Sequence, residues 1–208
     1  MTGEPTIRWT VLVPLRALPS AKSRLAETVP PEVHADLVEA IRADTLEAVH
    51  ATESVARVVV IGDRPGRGVT LVQTSDGLNG ALRDGAALAA EHWPDDGIAA
   101  LVGDLPALRA ADLAAALDAA AEVAAGFVPD SSGTGTTLLT ATPGTALDPR
   151  FGVGSAGRHG EIASALPAAD GLRADVDTAA DLAAAAHWGL GPRTLALAES
   201  AGLVGRSH

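Results

Sequence analysis

The chain has 208 residues, enough to bury one substantial core and short for two, so one domain over residues 1–208 is expected. It contains no cysteine, which excludes disulfides, thiolate zinc sites and cysteine nucleophiles. A formal charge of -11, from 26 acidic against 15 basic residues, excludes a surface that wraps nucleic acid, because that affinity comes from neutralising many phosphates.

The opening stretch carries Glu4 and Arg8 and only a short apolar run from Trp9 to Leu15, suited to neither a secretion signal nor a membrane span, so a cytoplasmic location is expected. A first strand is expected over Ile7 to Leu15. Behind it come Pro14-Leu15-Arg16 and Ala21-Lys22-Ser23-Arg24-Leu25. Lys22 is the sole lysine of a chain in which arginine has almost replaced it, the bias of a high-GC genome. A lone lysine beside two arginines therefore stands out, with a chance surface lysine as the plain alternative.

Pro30-Pro31 opens a helix in which Val33, Leu37, Val38, Ile41, Leu46 and Val49 share one face. Arg57 to Gly62 and Val69 to Thr74 read as strands, Leu78 to His92 as a helix, and Ile98 to Gly103 as a strand. A helix over Ala110 to Ala124 follows, then strands over Gly126 to Asp130 and Thr136 to Thr142. The stretch from Gly126 to Gly157 is glycine-rich and least regular. A short helix is expected within Ser155 to Leu166, a last strand over Leu172 to Val176, and a helix from Thr178 to Trp188. This alternation predicts an α/β fold of three α/β/α layers around a mostly parallel, Rossmann-like sheet.

In such sheets ligands gather beyond the carboxyl ends of the strands. Gly103-Asp104-Leu105-Pro106 puts a carboxylate there, although an Asx-type turn also explains it. Asp175 and Asp177 stand two apart, on one face of an extended segment. Helix capping competes for Asp177, since Thr178 and Asp181 have capping-box spacing, but leaves Asp175 unexplained. Asp104, Asp175 and Asp177 together suit Mg2+, which takes a few carboxylates and completes its octahedron with water and phosphate oxygens. Lys22, Arg16 and Arg24 would face a triphosphate from the other side as the catalytic cations. Leu78 and Asn79, in the glycine-flanked turn that opens a helix, and Gly103 are expected on the nucleotide, with simple helix-start chemistry as the alternative for the turn. Gly133-Thr134-Gly135-Thr136-Thr137 and Phe151-Gly152-Val153-Gly154-Ser155, followed by Arg158 and His159, offer donors for a phosphate and a carboxylate. His34, His50 and His92 fall in helical patterns without ligand spacing.

Together these motifs resemble the guanylyltransferases of deazaflavin coenzyme (F-420) biosynthesis, which use phosphoenolpyruvate or 2-phospho-L-lactate. The likeness spans nearly the whole chain and includes Gly77-Leu78-Asn79, Gly144-Thr145-Ala146-Leu147-Asp148-Pro149-Arg150-Phe151-Gly152, and Asp175-Val176-Asp177-Thr178. It implies a nucleotidyltransferase fold and transfer of GMP from GTP to the acceptor, with Asp104, Asp175 and Asp177 on magnesium and Thr136, Gly152 and Ser155 on the three-carbon acid. Phosphoenolpyruvate is expected over phospholactate from the high-GC composition, with hand-off of the product to a downstream transferase. A phosphate monoester is already anionic, so His159 is expected to be electrostatic or structural rather than a base. The rival readings are a molybdenum-cofactor or sugar-phosphate nucleotidyltransferase, which shares the acidic motifs, and a nucleotide-binding module without turnover.

Overall fold

A computed structural model describes residues 7–15, 23–62, 69–71 and 77–205. In its central strands neighbouring side chains enter different cores. In β1 (Trp9–Leu15) Val11 and Val13 join one buried cluster and Leu12 another, and in β2 (Val55–Gly62) Val58 and Val60 part in the same way from Val59 and Ile61. A sheet buried on both faces is why these stretches read as continuous apolar runs instead of alternating ones. The other strands are β3 (Val69–Leu71), β4 (Gly97–Leu101), β5 (Ala125–Pro129), β6 (Thr136–Ala141) and β7 (Ser164–Ala165).

They form one seven-stranded sheet in the order β3-β2-β1-β4-β6-β5-β7. The first four run parallel, whereas β6 is antiparallel to both β4 and β5. The hairpin joining β5 to β6 dictates that reversal, since a short turn can only return the chain antiparallel. One face is covered by α2 (Pro31–His50) and α4 (Ala110–Ala120), which supply Val49, Leu113 and Leu117 to the first cluster. The other is covered by α3 (Gly77–His92), whose Leu82 and Ala86 enter the second. The expected three layers are therefore present. Among the described residues no helix is long and apolar enough to cross a membrane.

The remaining helices are α1 (Ser23–Ala26), α5 (Ser155–Gly160), α6 (Asp170–Arg173), α7 (Ala179–Ala185), which runs on into a 3-10 turn at Ala186–Trp188, and α8 (Pro192–Ser200). The strand expected over Leu172 to Val176 is not formed: α6 occupies its first half and an irregular passage the rest. The reason is topological. Both edges of β4 are taken, by β1 and by β6, so the segment meets that strand only beyond its end, through one backbone bond from Val176 N–H to the Asp104 carbonyl at 3.1 Å.

Neither β7 nor α8 was evident in the sequence. The N-cap of α8 is Gly191, which brings no side chain, and the cap comes instead from buried Asp44 of α2. Its carboxylate accepts from Thr194 N at 2.7 Å and from Arg193 N and Nη1 at 3.3 Å each. Asp44→Ala leaves those donors without their charged acceptor and is expected to cost about 2 kcal/mol or more. Urea unfolding should show a lower midpoint with Asp44→Asn in between; a midpoint unchanged in both variants would contradict this capping role.

Candidate active site

Residues 103–108, directly after β4, are held from several sides. Leu105 N donates to Thr45 Oγ1 at 3.0 Å, and that hydroxyl donates in turn to Ile41 O at 2.8 Å. Gly191 N donates to Pro106 O at 2.7 Å, and Val176 N to Asp104 O. A Cβ at Gly103 would lie 2.4 Å from Leu15 Cδ2, so a larger residue there would have to displace the end of that side chain.

The bond to Asp104 O draws Asp175-Val176-Asp177 against Asp104, while fully buried Val176 anchors the passage in the core shared by α2, α7 and α8. All three acids are half-buried. The capping box at α7 is formed, with Thr178 as N-cap: Asp181 N donates to Thr178 Oγ1 at 3.2 Å, and Thr178 N donates to Asp181 Oδ2 at 2.8 Å. Capping thus accounts for Asp181 and not for Asp175 or Asp177. Among the described residues no three His, Asp or Glu side chains are grouped so as to hold a metal ion, so the structure does not itself gather Asp104, Asp175 and Asp177 into one cluster. The acids offer oxygen donors only, which fits a hard cation that draws the rest of its shell from water and substrate phosphate.

Strand register brings a second group of residues to the same end of the sheet. Leu101 of β4 pairs with Leu138 of β6, and Val102 N donates to Thr137 O at 3.0 Å. Thr136, which begins β6, therefore stands beside the Gly103-Asp104 turn. Ser155 Oγ donates to Thr136 Oγ1 at 3.2 Å, and Ser155 N donates to Gly152 O at 3.0 Å. Thr136, Gly152 and Ser155, scattered in sequence, form one hydrogen-bonded group.

The loop carrying Gly152 is shaped from both sides. Arg158 donates to Arg150 O through Nε at 3.1 Å and Nη2 at 2.9 Å, and to Val153 O through Nη1 at 2.6 Å. Wrapping the backbone round one guanidinium requires positive φ at Gly152 (122°) and Gly154 (72°), conformations costly for other residues. From α3, Asn79 Nδ2 donates to Phe151 O at 3.0 Å and its Oδ1 accepts from Phe151 N at 2.8 Å. Its amide thus bonds the Phe151 backbone through both its nitrogen and its oxygen. Leu78 and Phe151 line a small apolar recess with Pro14, Leu82, Ala100, Leu101 and Val102. In the β5–β6 turn, Thr134 N and Ser132 Oγ donate to Asp130 Oδ1, so those donors serve the turn itself.

His159 is fully buried under this group, edge-on to Phe151 at 5.1 Å between ring centres. Arg150 N donates to its Nε2 at 2.9 Å, and its Nδ1 lies 2.8 Å from Thr136 Oγ1. A backbone N–H can only donate, so the neutral ring carries its proton on Nδ1 and gives it to Thr136. The sequence held one signal for this contact: His159 follows Ser155 by four positions, on the same helix face. The structural roles of Thr45 and Asp44 had no such signal. Arg16 and Lys22 lie outside the described residues, and Arg24 sits in α1 with its side chain outside them.

Burial is the main cause that lowers the His159 pKa from 6.5 to about 4; nearby Arg158 and Arg150 lower it further, against an opposing pull from Asp148. The folded protein therefore binds this proton more weakly than the unfolded chain. The stabilisation is complete above about pH 6.5 and is lost as pH falls toward about 4, by up to about 3 kcal/mol. Urea unfolding of His159→Asn, which lacks the titrating ring, should lose stability less steeply than the parent between about pH 6.5 and 4.5. Equal slopes would contradict a neutral buried ring.

Residues 9–189 match the family model described as guanylyl transferase CofC like. A phosphoenolpyruvate guanylyltransferase of Salinispora arenicola is 46% identical over 213 residues, covering 96% of this chain and 98% of that one. One from Streptomyces coelicolor is 44% identical over 204 residues, covering 92% and 96%. A crystal structure described as a nucleotide-diphospho-sugar transferase of Desulfovibrio desulfuricans G20 superposes with a TM-score of 0.74 at 16% identity, covering 95% of this chain and 96% of that one. At that identity the likeness shows the fold alone.

Proposed function

Since the chain belongs to the CofC-like guanylyl transferase family, we propose that it transfers GMP from GTP to phosphoenolpyruvate, giving enolpyruvyl-diphospho-5'-guanosine and pyrophosphate for deazaflavin coenzyme assembly. The observation that carries this reading is the meeting, at one end of the sheet, of Asp104, tied by the Val176 bond to the Asp175–Asp177 segment, with the Thr136–Gly152–Ser155 group. Two phosphorylated ligands need such a pairing: an acidic side for a cation shared with phosphates, and a donor side for the acceptor's anionic groups.

In the reaction a phosphate oxygen of the acceptor attacks the α-phosphorus of GTP. The new P–O bond forms as the bond from that phosphorus to the α,β-bridging oxygen breaks, and pyrophosphate leaves with the electron pair. The attacking oxygen is already anionic, so no proton has to be removed. The buried imidazole suits that chemistry, because its Nε2 lone pair is held by Arg150 N–H and its Nδ1 carries the proton. Asp104, Asp175 and Asp177 would hold magnesium, which when bound supplies positive charge to the phosphates as negative charge shifts to the leaving group. Lys22, Arg16 and Arg24 are assigned to the triphosphate on sequence grounds. Leu78, Asn79 and Gly103 form the nucleotide side, where Asn79 serves by holding Phe151 against the recess. Hand-off of the product to a downstream transferase belongs to the same reading.

Purified protein with GTP and magnesium should release pyrophosphate when given phosphoenolpyruvate, and more slowly or not at all with 2-phospho-L-lactate, a sugar phosphate, or ATP or CTP in place of GTP. GTP binding without pyrophosphate release on any acceptor would favour a non-catalytic module. Asp104→Asn and Asp177→Asn, each folded normally, should lower the rate by about a hundredfold or more. Retention of activity within about tenfold in either would remove that residue from the electrostatic role.

A further inference from the structure

We propose that His159 is a positioning residue that fixes the direction of the Thr136 hydroxyl, holding it as a hydrogen-bond donor toward the anionic acceptor. The inference rests on the assignment of Thr136 and Ser155 to the acceptor made above. Its basis is a count of protons and lone pairs. Arg150 N–H occupies the Nε2 lone pair, so the ring proton stands on Nδ1 and goes to Thr136 Oγ1. Ser155 Oγ donates to the same oxygen. A hydroxyl oxygen accepts twice, so with both lone pairs engaged Thr136 must send its own proton to a third group.

The alternative arrangement has the opposite consequence. With the proton on Nε2, the bare Nδ1 would take the Thr136 proton and the threonine would turn lone pairs toward a carboxylate or phosphate, which accepts hydrogen bonds and donates none. One backbone N–H, from Arg150, thus sets the polarity of a hydroxyl on another strand. Turning the ring over would put carbons where Nδ1 and Nε2 now bond and lose both hydrogen bonds. The charged groups acting on it are Arg158, Arg150 and Asp148, and with burial they keep it neutral at physiological pH. Arg150 therefore acts twice, by its amide on the tautomer and by its guanidinium, itself paired to Asp148 and Glu161, on the charge.

Two isosteres separate this role from mere filling of space. In His159→Asn the side-chain amide puts an N–H where Nδ1–H stood, while in His159→Gln the longer side chain reaches the Nε2 position, accepts from Arg150 N and fills more of the ring's volume. The account predicts that Asn keeps KM for phosphoenolpyruvate within about threefold, whereas Gln raises it by about tenfold or more and leaves KM for GTP unchanged, as expected for one lost hydrogen bond to a charged ligand. The 15N spectrum of the parent protein should show His159 protonated at Nδ1 from about pH 5 to 8, a readout that survives if either variant fails to fold. An Nε2–H spectrum, a Gln variant at least as good as Asn, or equal rises in both KM values would overturn the inference. A parent protein that releases no pyrophosphate with any phosphorylated three-carbon acid would defeat the functional reading itself and the inference with it; an active parent with the wrong order of variants defeats the inference alone.

Discussion

The hydrogen bond from Val176 N–H to the Asp104 carbonyl joins two stretches of chain separated by α4, the β5–β6 hairpin, α5, β7 and α6. It takes its form from the sheet. The hairpin delivers β6 into the position beside β4, so no later segment can pair along that strand, and the passage carrying Asp175 and Asp177 can only close over its end. A parallel strand at that place would bury the passage in the sheet. Closure over the end leaves the acids at the carboxyl rim, where α/β sheets hold ligands. Thr45 on Leu105 N and Gly191 on Pro106 O keep the Asp104 loop from following the passage outward, and the Asp44 cap keeps α8, and Gly191 with it, in place.

The side we assign to the acceptor is built by a different principle. There the loop from Arg150 to Ser155 has no strand to lie on, and its shape comes from a guanidinium, an asparagine amide and an imidazole that bond its backbone. Buried polar groups are costly when unmatched and rigid when matched. Ser155 and His159 are buried and both bonded to buried Thr136, so this group has few alternative arrangements. Arg158, which holds the loop from within, also adds to the field that keeps His159 neutral.

Much of this was legible in the sequence because of double-sided burial. Strands covered on both faces leave apolar runs, and the helices between them leave their own period, so β1, β2, β4, β6, α2 and α3 were found near their true bounds. The strand expected over Leu172 to Val176 failed because apolar content reports burial, not pairing: Leu172 and Val176 are fully buried, but in α6 and in the closing passage. Helix α8 left little trace, since its cap comes from Asp44, 150 positions from Thr194. In the site, position after a strand and spacing pointed to the three acids, whereas Thr136, Gly152 and Ser155 were singled out only through the family resemblance. The reciprocal bonding of Asn79 with Phe151 was hidden, because an asparagine at a helix start reads as readily as a ligand contact.

The account depends on acids from two motifs serving one divalent ion next to the acceptor group. Manganese titrated into the protein with phosphoenolpyruvate present, followed by its enhancement of water-proton relaxation, reads that ion directly and without turnover. Strong enhancement in the parent protein, lost both in Asp104→Asn and in Asp175→Asn, is the predicted result. Enhancement that persists at the parent's level in either variant would mean that the two motifs do not share the ion.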